Sequence, residues 1–192
     1  STPAYADVNG TKVILLDTPG FLDFTGDTMA AVRVADAAVI VVGATSGVEV
    51  GTEVVWDYCE NRGIPRMFFI SMMDKEHADF DGVFQDIKDR LSINVLPVEV
   101  PVGQGEDFRG IINLFSEKAH LFKPGAMAGE YEEGDIPDDM TARFEEMKTD
   151  FIETVATADE ELLERYLEGE TISRDEAVEA MARAMARGEI IP

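Results

Sequence analysis

Basic and metal-binding side chains are scarce in this sequence: its 192 residues carry 16 lysines and arginines against 39 aspartates and glutamates, a formal net charge of −23. Sequence-independent binding of DNA or RNA needs clustered Lys and Arg to displace phosphate counterions. Direct or sequence-specific nucleic-acid binding is therefore not expected. The only cysteine, Cys59, falls in a helical pattern beside Val55 and Trp56. One thiol builds no disulfide framework and fits a reducing cytoplasm, where it reads as core filler. The two histidines, His77 and His120, stand far apart with no i, i+4 partner, which argues against a His-based metal site and leaves both as surface or loop residues. No apolar run reaches membrane-spanning length, and the first residues lack the charged-then-apolar order of a signal peptide. The expectation is a soluble cytoplasmic chain without membrane contact, and a monomer. Also missing is any Gly-rich loop ending in Lys-Ser or Lys-Thr.

What is present is a chain 45% apolar, enough for a real core and one domain, or one and a small neighbour. Asn9-Gly10 between residues 4–8 and 12–17 is a hairpin signal, so the chain opens on an antiparallel pair ending in Asp17. Residues 23–34 read as a helix with Asp23 or Thr25 near its start. Ala37 to Val42 is a β-branched run of the kind found in strands buried on both faces. The pattern repeats with a helix over 50–61, a strand over 67–70, a helix over 80–91 and a strand over 95–100. Strands alternating with helices predict a mostly parallel sheet with right-handed crossovers.

After Pro101 the pattern changes. Two short strands, 111–115 and 118–122, precede a loop from Lys123 to Asp139 and three amphipathic helices over 138–157, 159–167 and 173–187. Ser173-Arg174-Asp175-Glu176 is a capping box. The second part reads as a separate α+β unit with its boundary near residue 101. Past residue 127 acidic residues outnumber basic ones by 14, which suits a solvated surface or a basic protein partner.

Two constellations can carry chemistry. Asp17-Thr18-Pro19-Gly20 follows the apolar run Val13–Leu16, delivering a carboxylate and an unhindered amide at a strand's carboxyl end, where α/β sheets bind ligands. Such an Asp can hold a water on Mg²⁺. Ser71-Met72-Met73-Asp74 follows the strand 67–70, and its carboxylate is expected on the same sheet edge as Asp17. A carboxylate there can accept two parallel N–H bonds from a guanine edge.

In this order, with Ser46-Gly47-Val48-Glu49 between them, these segments resemble the second half of the GTP-binding domain of translational GTPases, elongation factor G above all. The resemblance runs on through Ala78-Asp79-Phe80, Ile87–Leu91, Leu96-Pro97-Val98, Pro101-Val102-Gly103 and Glu106–Ile112 to Tyr166–Glu170. It implies a partial P-loop GTPase-type α/β fold over residues 1–100, an inserted α+β subdomain over 101–188, and at 189–192 a return toward the first unit. It places the family's phosphate loop before Ser1 and the final base-contact loop after Pro192. In that family Asp17 would make the water-mediated Mg²⁺ contact, the amide of Gly20 would sense the γ-phosphate, and Asp74 would read guanine. Thr18, Pro19, Phe21, Ser71, Met72 and Met73 complete the implied nucleotide-binding set. The implied ligands are GTP or GDP with Mg²⁺. The implied partners are the ribosome and, through residues 101–188, its large-subunit stalk protein.

Two departures qualify this. Phe21 stands where the family carries a water-orienting His; losing a group of that kind costs about 10²–10⁴ in rate, so intrinsic hydrolysis is expected to be slow unless another residue or the ribosome substitutes, and an aromatic residue at this point resembles some factor-G-like paralogues. Ser71 and Met72 replace Asn and Lys. Ser71 is too short for the bridging bonds of Asn, while the Met72 stem can still lie under the base. This chain alone is expected to be inactive, with at best millimolar GTP affinity, about −4 kcal/mol. The alternative is a GTPase-like protein-binding module that does not hydrolyse nucleotide. A phosphoacceptor or flavin domain would need an acidic pair beside Asp17, which the sequence lacks.

Overall fold

The computed structural model describes residues 1–123 and 130–192. It has the expected α/β architecture, with mixed sheets. Strands β1 (Thr2–Val8) and β2 (Thr11–Asp17) form an antiparallel hairpin. Its two-residue turn is Asn9-Gly10, both at positive φ, as the twist of flanking strands requires. A 3₁₀ turn, Leu22–Phe24, leads into α1 (Thr25–Val32), later than the expected helix start.

Strand β3 (Ala38–Gly43), helix α2 (Val50–Arg62), strand β4 (Arg66–Ser71) and helix α3 (Phe80–Arg90) make a βαβα run in which β3 and β4 pair in parallel. Ile40 and Val42 pack with Val48, Trp56, Val83 and Ile87 into one core. Val39 and Val41, expected to be buried, are 57% and 60% exposed. Helices α2 and α3 supply the packing on the Ile40 face, and no element among the described residues covers the other. Arg66 is buried against the Trp56 ring and pairs with Glu60. Cys59 is buried as expected of core filler, and that burial pushes its thiol pKa up.

The strand expected over 95–100 is displaced. Val95 makes a single parallel bridge to Ile191, while β5 (Glu99–Val102) joins β6 (Gly110–Asn113), β7 (Lys118–Phe122) and β8 (Tyr131–Gly134) in an antiparallel sheet ordered β5-β6-β7-β8. Pro97 has no N–H for a ladder and interrupts the segment; Pro101 is tolerated because β5 is an edge strand. β8 falls inside the expected 123–139 loop, of which 124–129 lie outside the described residues. Its strand character comes from its partner. Tyr131 stacks on His120 with ring centroids 4.5 Å apart, and Glu133 lies opposite His120, cross-strand pairs that local composition does not reveal. His120 is thereby a half-buried strand residue, while His77 is in an exposed loop.

Helices α4 (Thr141–Thr157), α5 (Glu160–Leu167) and α6 (Arg174–Arg187) cover this sheet. Val100, Val102, Ile112 and Ala119 meet Phe144, Phe151, Val155, Leu162, Met181 and Ala184 in the larger core. The capping box at Ser173 and Glu176 forms as expected. Along residues 95–96 and 190–191 the period of two divides neighbours between cores: Val95 and Ile191 pack with β3 and α3, Leu96 and Ile190 with the larger core. No helix among the described residues is long and apolar enough to cross a membrane.

Candidate functional site

Parallel strands deliver their following loops to one edge, and here the loops after β3 and β4 are bonded to each other. The Ala44 N–H donates to the Ser71 carbonyl at 2.8 Å, and the Asp79 N–H donates to the Ala44 carbonyl at 2.9 Å. Asp79 then caps α3, its Oδ1 accepting from the Gly82 N–H at 3.0 Å. The loop between Ser71 and Asp79 is thus fixed at both ends.

Within that loop the residues differ in what they present. Ser71 donates its hydroxyl to the Val42 carbonyl at 3.4 Å, so it ties β4 to β3. Met72 sits at φ +61°, a region costing a non-glycine residue about 1–2 kcal/mol, and its side chain is exposed with its sulfur close to Gly43. Met73 turns inward among Ala44, Ala78 and Phe80, and its carbonyl accepts from the Gly105 N–H at 2.8 Å. Asp74 is exposed. The Lys75 ammonium, 2.9 Å from its Oδ2, holds its carboxyl below the usual carboxylate range.

Asp17 ends β2 with an exposed side chain, Thr18 and Pro19 are half-buried, and Gly20 is exposed. Thr28 of α1 reaches back to donate its hydroxyl to the Pro19 carbonyl at 3.0 Å, fixing the turn. The Gly20 carbonyl lies 3.7 Å from where a Cβ on Gly51 would stand, so this turn abuts the first turn of α2. Phe21 is 79% exposed. It projects into solvent and offers no atom that could carry or accept a proton.

The expectation that Asp17 and Asp74 leave one sheet along one rim is not met. β2 pairs with β1 and β4 with β3, in two separate two-stranded sheets. Among the described residues no strand pairs with the free edges of β2 and β3, so nothing joins the pairs into one layer.

Asp17 supplies a hard oxygen of the kind Mg²⁺ keeps at one water's remove. Among the described residues no group of three or more His, Cys, Asp or Glu could hold a metal ion.

Two residues that sequence reasoning did not single out also belong to this edge. Asp86 Oδ2 accepts from the Val48 N–H at 2.8 Å, and Arg90 Nη1 donates to the Val48 carbonyl at 2.5 Å.

Comparisons with known proteins bear on the fold and the family. A crystal structure of a protein from Thermus thermophilus matches with a TM-score of 0.89 at 34% sequence identity, covering 99% of this chain and 28% of that one. The chain therefore spans little more than a quarter of that protein's length. The family model of the elongation factor Tu GTP binding domain matches residues 1–185. That match runs through both loops of the candidate site and nearly the whole chain, which belongs to the elongation factor Tu GTP binding domain family and carries a G domain of the translational GTPase type.

Proposed function

We propose that this chain is part of a factor-G-like translational GTPase that binds GTP with Mg²⁺ in the cytoplasm and hydrolyses it on the ribosome. Residues 1–100 would be a partial G domain, 101–188 an inserted subdomain facing the large-subunit stalk protein, and 189–192 the return to the G domain. The observation that carries the reading is the Asp74 loop, an exposed carboxylate beside the Lys75 ammonium at the carboxyl end of a parallel strand. An ionised carboxylate accepts from both N–H groups of the guanine edge, and a base lacking them leaves it unpaired. The exposed, left-handed Met72 supports a loop shaped to meet a base, since such strain persists where surroundings impose it.

At the other end, the Gly20 amide would face the γ-phosphate, with Thr18 and Pro19 held beside it by Thr28. Asp17 would hold Mg²⁺ through a water, and the ion when bound supplies charge neutralisation at the phosphates. The free edges of β2 and β3 support a further strand between them carrying the phosphate loop. Such a strand would bring Asp17 and Asp74 to one edge. Catalysis would rest on positioning and charge stabilisation, with Phe21 contributing no proton transfer.

The test is GTP binding and turnover by the full-length protein, with and without ribosomes. Guanine-selective binding with ribosome-stimulated turnover supports the reading. Guanine-selective binding without turnover under either condition moves the assignment to a GTPase-like module that does not hydrolyse.

A further inference from the structure

Both main-chain groups of Val48 are held by side chains from one face of α3. Its N–H donates to Asp86 Oδ2 at 2.8 Å, and its carbonyl accepts from Arg90 Nη1 at 2.5 Å. Arg90 continues to α2, its Nη2 donating to Glu53 Oε1 at 2.7 Å, and its Nη1 lies 3.5 Å from Asp86 Oδ2. The approach is close at the preceding residue: Gly47 has φ +68°, and a Cβ there would stand 2.8 Å from Asp86 Oδ2, so Asp86 would have to shift. The Val48 side chain is buried beside Trp56 and Ile87, so the peptide cannot shift without disturbing the core.

This peptide lies two residues before α2, whose first turn abuts Gly20 at Gly51. Helix α3, in turn, is capped by Asp79, which closes the Asp74 loop. Hydrogen bonds therefore run from the Asp74 loop along α3 and through Asp86 and Arg90 to Val48, and the start of α2 that follows lies beside the Gly20 turn.

We infer that Asp86 and Arg90 are positioning residues that fix the start of α2 against the Gly20 turn and so set how strongly the protein prefers a nucleoside triphosphate over a diphosphate. The inference rests on the guanine-nucleotide reading above. Neither side chain touches nucleotide in this account. Each acts through the Val48 peptide on the turn whose amide faces the terminal phosphate.

The experiment is a titration of the full-length protein with fluorescent GDP and a fluorescent non-hydrolysable GTP analogue. Wild type is compared with Asp86→Ala, Asp86→Asn and Ile87→Val. Ile87→Val trims a buried neighbour on the same helix and controls for lost stability, which thermal melting monitors. Asp86→Ala is expected to lower the triphosphate-over-diphosphate preference by about tenfold. Asp86→Asn, which keeps an acceptor for the Val48 N–H but loses the charge facing Arg90, should fall between it and wild type. Ile87→Val should leave the preference unchanged. An unchanged preference in Asp86→Ala, or an equal change in Ile87→Val, overturns the inference while leaving guanine binding intact. Failure of wild type to bind either nucleotide overturns the functional reading and this inference with it.

Discussion

The Lys75 ammonium lies 2.9 Å from the Asp74 carboxylate, and this neighbour is the first cause of the depressed Asp74 pKa. A depressed folded-state value means that Asp74 stays ionised until the pH falls below the ordinary aspartate range. Removing the ammonium in Lys75→Ala should raise the Asp74 midpoint toward the ordinary value of about 3.9. Carboxyl ¹³C titration checks this. The account expects an upward shift in the variant and little change in nucleotide affinity at neutral pH, where the carboxylate is ionised either way. An unmoved midpoint would show that Lys75 does not control it.

Phe21 is exposed, so replacing it should cost little stability, within about 0.5 kcal/mol. Phe21→His restores a group able to orient water beside Gly20. GTP turnover by the full-length variant, with ribosomes, is expected to rise at least about tenfold, part of the 10²–10⁴ such a group supplies. No gain would refute the account of this position.

Glu176 links the α6 cap to α5. It accepts from Arg165 Nη1 at 2.5 Å, from the Ser173 hydroxyl at 2.6 Å and from the Ser173 N–H at 2.9 Å. The Arg165 bond, then the Ser173 bonds, bring its carboxyl down to about 2. A folded-state pKa below the unfolded value gives stability that is fully present above the unfolded pKa, about 4.3, and lost as pH falls through the folded one. The melting-temperature gap between wild type and Glu176→Gln should be constant above about pH 5 and close between about pH 4 and pH 2. A gap that does not change with pH would place the contribution elsewhere.

The alternation of strands and helices was legible because its signals are local. Asn9-Gly10 makes the hairpin turn, Ser173 and Glu176 make the cap, a β-branched run marks β3 and a short apolar run marks β4. Where the outcome depended on partners, local pattern was insufficient. Tyr131–Gly134 is a strand because β7 pairs with it, and the segment after Val95 leaves the parallel layer at Pro97 to join β6. Val39 and Val41 have strand-core composition but lie on an uncovered face. Asp17, Gly20 and Asp74 end or follow strands as expected, although β2 and β4 lie in separate sheets. Asp86 and Arg90 could not, since their bonds to Val48 span 38 and 42 residues.

The central claim is that the Asp74 loop reads guanine. Its most direct measurement is competition of GDP and ADP for the full-length protein, wild type against Asp74→Ala. Each hydrogen bond to a charged group contributes about 1.5–3 kcal/mol, so the account predicts a wild-type preference for GDP that falls by at least about tenfold in the variant, with ADP affinity unchanged. Equal affinity of wild type for GDP and ADP, or a preference that survives loss of the carboxylate, would contradict it.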